Sequence, residues 1–170
     1  MKRGTSVIEL IVYGALFALV SIGAIDLIRQ SYTVMAKVRL QREINTEGEL
    51  SMQRMMREVR LASDIIMASS TLYASPGTLK LQTYADDGSG ATTTAYFYLS
   101  SGVLTLAKAT SSIALTSSHS TIDNLVFRLI IASTTSKAIK IEMRLIATTS
   151  AFSIVNNFYG TAIFRGSYNQ

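Results

Sequence analysis

An α+β fold, with one long N-terminal helix packed on a C-terminal antiparallel β domain, is predicted by three observations. An apolar run from Val7 to Ile25 follows a very short basic leader. An apolar stripe at Met52, Met55, Met56, Val59, Ala62 and Ile66 repeats at helical spacing. From Leu79 onward the period changes to alternation, with turn residues between short runs. A helical half followed by a run of strands is the α+β pattern.

The first helix is the unusual one. Lys2 and Arg3 precede Gly4, Thr5 and an apolar stretch that carries a single acid, Glu9. About 20 helical residues span the ~30 Å of a bilayer core, so the stretch is long enough to cross. A carboxylate at membrane depth costs on the order of 3 kcal/mol on insertion scales and more in simulations. A cation is expected to compensate it once the helix leaves lipid. Three plainer readings apply to the same residues. Ser6 to Glu9 fits a capping box. Ser21-Ile22-Gly23 offers small residues for cleavage of an ordinary signal peptide, although Glu9 would then lie inside its apolar region. The segment also fits a plain signal anchor. Arg29, Lys37, Arg39 and Arg42 follow the span, so the distribution of positive charge sets no orientation.

Past Ile25 the helical pattern continues through Asp26, Leu27, Ile28, Val34, Met35 and Val38. Lys37 to Glu49 is charged and mixed, and Gly48 marks a weak or bent point. The methionine-rich stripe then needs a partner, which the β domain supplies; Arg54, Arg57, Glu58 and Arg60 lie mostly off it. The helix is expected to end near Ala68 to Thr71, ahead of Pro76-Gly77. Residues 1–4 thus form a leader, 5–25 a membrane segment, 26–70 its helical continuation and 71–170 the β domain.

In that domain Leu79, Leu81 and Tyr84 are expected on one face of a first strand. Asp86 to Gly90 reads as a loop. Tyr96 to Leu99 and Val103 to Leu106 flank Ser100-Ser101-Gly102, a hairpin signal. Ser111 to Thr121 reads as polar and flexible. Ile122–Ile131 and Ala138–Ala147 read as strands, and in the second Ile139, Ile141, Met143 and Leu145 alternate with Lys140, Glu142 and Arg144. Phe152 to Phe164 gives a last strand or strand pair, with a possible break at Asn156-Asn157.

The 170-residue chain has a formal net charge of +5 and no cysteine. Removing Lys2 and Arg3 leaves 14 basic against 11 acidic residues, or +3. That is too small and too dispersed for nucleic acid. Without cysteine there is no disulfide, thiolate metal site or thiol catalysis. His119 is the only histidine and lies in a serine-rich stretch, so no catalytic constellation is evident and no enzyme is expected. Asp86 and Asp87 are weak calcium candidates. They are adjacent rather than alternating, while calcium takes 6–8 oxygens, so a plain turn is the default. No other metal or cofactor is expected.

Gly4, Thr5 and Glu9, with Lys2 and Arg3 ahead and the apolar run behind, resemble the cleavage and N-methylation motif of type IV pilins and type II secretion pseudopilins. The resemblance implies cleavage by a prepilin peptidase between Gly4 and Thr5, methylation of the new amine on Thr5, and an assembly role for Glu9. The family usually has Phe or Met where this chain has Thr5. The Tyr96–Leu99 and Val103–Leu106 hairpin, the Ile122–Phe127 strand and the Arg54–Ala62 stretch are similar to J-type minor pseudopilins and related minor pilins. The implied protein is a minor pilin or pseudopilin that spans the bacterial inner membrane once, its β domain outside. The implied partners are the peptidase, other pilin or pseudopilin subunits, the inner-membrane assembly platform and, before assembly, lipid. The alternative is a signal-anchored, unpolymerised β module that binds a ligand outside the cytoplasm.

Overall fold

The structure, a computed structural model, describes residues 7–84, 90–109, 111–131, 136–149 and 151–164. Among these residues are one long helix, α1 (Val7–Leu61), and eight strands in antiparallel pairings. The chain divides into two compact units, Met1–Arg39 and Leu40–Gln170. The second unit holds the core.

In this second unit α1 buries Ile44, Gly48, Ser51, Met52, Met55, Glu58 and Val59. The stripe therefore packs as its period predicts, with Ala62 also buried and Met56 half-buried. The helix stops at Leu61, earlier than its apolar pattern suggests. The Ala62 amide closes the last turn on the Glu58 carbonyl, and the Ser63 amide donates instead to Gln82. Asp64–Ile65 forms β1 against the next strand, and Ile66 donates its amide to Lys80. The adjacent β-branched Ile65 and Ile66 suit a strand better than a helix end.

Strands β2 (Leu79–Tyr84), β3 (Thr92–Ser100), β4 (Val103–Lys108) and β5 (Ser111–Ala114) complete a five-stranded sheet in the order β1-β2-β3-β4-β5. A second, three-stranded sheet contains β6 (Ser120–Ile131), β7 (Lys137–Thr148) and β8 (Ser153–Ile163). Two sheets thus replace the one suggested by the alternation. The β3–β4 hairpin turns at Ser101 (φ 52°) and Gly102 (φ 79°), a left-handed pair suited to a two-residue hairpin. The Gly102 carbonyl accepts the Ile122 amide at 2.9 Å, joining the hairpin to the start of β6.

Three other expectations change. Thr83, not Tyr84, continues the inward face of Leu79 and Leu81, because side chains of a strand alternate strictly. Part of the polar stretch after Lys108 is strand β5, paired to β4, and Ser120–Thr121 already belongs to β6. β8 runs unbroken through Asn156 and Asn157, where Asn156 donates its side-chain amide to Asn45 on α1.

β7 follows its predicted register. Ile139, Ile141, Met143 and Leu145 are buried, and the opposite face is charged. There Glu142 accepts from Arg128 at 3.1 Å and pairs with Lys140 at 2.9 Å. Lys140 first, then Arg128, holds the Glu142 carboxyl below its ordinary range. The Arg144 guanidinium, bonded to Asp123, does the same for that carboxyl.

The edge of β6 is covered by the chain ahead of β2. Tyr73 and Gly77 donate their amides to the Phe127 and Leu125 carbonyls at 2.8 and 2.7 Å. The Tyr73 hydroxyl donates to the Leu129 carbonyl at 2.7 Å.

Two contacts join α1 to the two sheets. Glu58, expected off the stripe, is buried and pairs with Arg54 at 3.1 Å and with Lys108 of β4 at 3.5 Å. A buried carboxylate without such partners would cost several kcal/mol. Gly48 is a close approach rather than a weak point, because a Cβ there would overlap the Phe158 ring. Helix propensity alone would make Gly48→Ala stabilising by about 1 kcal/mol. The overlap reverses the sign, and we expect Gly48→Ala to destabilise by about 1–3 kcal/mol. Urea unfolding of the detergent-solubilised protein, followed by near-UV circular dichroism, checks this; a raised midpoint would contradict the packing.

Candidate functional site: the exposed half of α1

The apolar residues of Val7–Ile25 form an uninterrupted helix without β-branched crowding severe enough to break it. Every residue from Val7 to Arg39 is exposed except Ser21, which is half-buried. The helix contains a span long and apolar enough to cross a membrane, and none of that span is buried within the fold. It is therefore not the core helix of the β domain.

Glu9 lies in the first turn, where the helix dipole favours a negative charge. One turn on, the Tyr13 hydroxyl lies 3.5 Å from its Oε1, a long contact. Sequence reading overlooked Tyr13, though its i, i+4 spacing to Glu9 was visible. The Ser21 hydroxyl donates to the Phe17 carbonyl at 2.8 Å, so the polar side chain is satisfied within its own helix. Nothing lies within 4 Å of a Cβ built at Gly14 or Gly23.

No protein-family model, no curated protein and no solved structure matches the chain. The function must be argued from the residues themselves.

The apolar surface does not stop where a bilayer would. Residues 7–25 extend about 28 Å, close to the ~30 Å of hydrocarbon. Beyond them Leu27, Ile28, Tyr32, Val34, Met35 and Val38 remain 44–71% exposed. Asp26, Gln30, Thr33 and Lys37 recur at helical spacing and form a polar stripe along the same segment. The sequence pattern already marked Leu27, Ile28, Val34, Met35 and Val38, but not Tyr32.

The other candidates fare as follows. Gly4 and Thr5 lie outside the described residues, as does the Ser6 of the capping box. Asp86 and Asp87 also lie outside them. Among the described residues no group of three or more His, Asp or Glu side chains could hold a metal ion. His119 is exposed between β5 and β6, where its amide donates to the Ser117 hydroxyl. A shallow groove of about 660 Å³ opens between Arg42, Glu43, Thr46 and Leu50 of α1 and the chain from Ala114 to Ser117. Glu47 at its floor accepts the Ser117 amide.

Proposed function

We propose that this chain is a structural subunit, a minor pilin or pseudopilin, of a type IV pilus or type II secretion pseudopilus. The observation that carries the reading is the exposed apolar surface of α1 beyond Ile25. A plain anchor needs a lipid-length span and then a polar helix. Here about 13 further residues carry six large apolar side chains into water, an uncovered surface that calls for a partner. Similar helices side by side would cover it, at about 25 cal/mol for each Å² of apolar area removed from water.

In this reading a prepilin peptidase cuts after Gly4 and the amine of Thr5 is methylated. The chain waits in the inner membrane with its β domain outside the cytoplasm. An assembly platform then extracts it, and Glu9 exchanges the membrane interface for a neighbouring subunit. The chain performs no chemistry of its own.

Intact-mass measurement of the protein from its native membrane tests the processing. The expected mass is that of a chain beginning at Thr5 and carrying one methyl group, and Gly4→Ala is expected to leave the uncut precursor in the membrane. A chain that retains Met1, or one cut near Gly23, would instead favour a signal-anchored or secreted binding module.

A further inference from the structure

Edge strands normally carry a device against pairing: charge, proline, a bulge, brevity or a cover. Among the described residues β8 carries none of these. It is the terminal strand of its sheet, 11 residues long, and its register with β7 is unbroken. From Leu145 to Phe164 the sequence contains no charged residue and no proline. Val155, Tyr159 and Ile163 stand exposed on its outward face. The opposite edge of the same sheet, at β6, is covered by Tyr73–Gly77.

β5 is a second terminal strand, at the end of the other sheet. Its residues Ser111 to Ala114 are uncharged and all exposed.

β8 lies at one margin of the buried stripe of α1, and the residues that flank β5, Lys108 and Leu115, lie at the other. At one margin Asn45 bonds Asn156, Gly48 abuts Phe158, and Met52 and Met56 lie against Gly160. At the other, Ser51 bonds the Leu115 carbonyl at 3.0 Å and Glu58 reaches Lys108. On the helix the two sets are about 120° apart, on either side of Met55 and Val59.

We propose that the β8 edge of one copy pairs with the β5 edge of the next copy, so that neighbouring β domains share a continuous sheet. This rests on the reading that copies assemble side by side. The residues of both strands are uncharged, so no like charges face each other along the pairing. A two-fold β8-to-β8 contact fits less well. β8 runs in the same direction as α1, since 45, 48 and 52 meet 156, 158 and 160 in turn. Such a contact would set two helices antiparallel, whereas copies that enter one membrane through α1 keep them parallel. A β8-to-β5 contact joins two different surfaces and does not close on itself, so it can propagate. The four residues of β5 set the length of the pairing, and main-chain hydrogen bonds supply it.

The chain has no cysteine, so introduced thiols are unique. Tyr159 faces outward on β8, and Ser112 faces outward on β5, opposite Ala107. The full-length protein carrying Ser112→Cys, Tyr159→Cys or both is produced in cells that hold the assembly machinery, and sedimented assemblies are treated with a short bismaleimide. The double variant is expected to give a ladder of multimers and each single variant only monomer. Dimers from Tyr159→Cys alone would overturn the proposal in favour of two-fold pairing. Assemblies that sediment normally but do not cross-link would overturn the edge contact and leave the filament reading standing. A double variant that is left unprocessed or does not sediment, when the cysteine-free chain behaves the same way, would overturn the filament reading and the proposal with it.

Discussion

Ile141→Asp is expected to lower the stability of the β domain by about 4 kcal/mol or more, a large share of the ~5–15 kcal/mol by which domains are stable. Ile141 is fully buried at the centre of β7, opposite Phe127 on β6 and Gly160 on β8. The new carboxylate would have neither water nor a cation within the apolar cluster, and an unpaired buried charge is among the most costly changes a core can suffer. The adjacent change, Glu142→Ala, acts on the opposite face. Glu142 pairs with Lys140 and Arg128 in water, where screening leaves such pairs little weight, so its unfolding midpoint should stay near that of the parent. Urea unfolding of the two full-length variants in detergent separates the cases. Equal midpoints would mean that the faces of β7 have been exchanged.

Glu9→Gln is expected to leave cleavage and membrane insertion intact and to impair incorporation into filaments. In the single chain Glu9 is exposed at the helix start, with the Tyr13 hydroxyl 3.5 Å from its Oε1. Once helices pack together the carboxylate loses water and needs a cation. In the proposed reading the methylated amine of Thr5, on the same or a neighbouring chain, would supply one, because methylation keeps the charge. Such a pair selects the register between subunits more than it adds net stability. Glutamine has nearly the same shape but no charge. It could still reach a backbone amide, so a purely local cap predicts that assembly survives. Sedimentation of filaments with Glu9→Gln subunits at parental levels would reduce Glu9 to a cap. Tyr13→Phe is the companion measurement: it removes the hydroxyl and keeps the charge, and should leave incorporation largely unchanged.

What was legible in the sequence is what repeats. The apolar run of α1, the stripe through Met52, Met55 and Val59, and the alternation along β7 each impose a period that survives folding. What was not legible depends on partners distant in the chain. The end of α1 at Leu61 is set by β2, which captures Ser63 and Ile66. Gly48 looks like a helix defect until Phe158, far along the chain, is placed against it. Glu58 looks like a solvated charge until Lys108 reaches it. β5 has too weak a pattern to be seen before β4 offers it an edge. Tyr84 is different: strict alternation from Leu79 and Leu81 already pointed to Thr83. In the candidate site, Glu9 stood out because an acid is foreign to an apolar run. The apolar face beyond Ile25 emerged only when the fold left it uncovered.

The side-by-side course of α1 and β8 has a mechanical consequence. In a filament of the proposed kind, a pull or push would be transmitted along the helices. Helix and strand run the same way, and their contacts at Asn45–Asn156, Gly48–Phe158 and Met52–Gly160 follow one another along that line. Axial tension on α1 therefore loads these contacts in shear, all together, rather than peeling them apart one by one. The Glu58–Lys108 pair adds a tether at the other margin. Detachment of the helix under load must break the set at once, so the rate of that single event would govern how long the domain withstands traction.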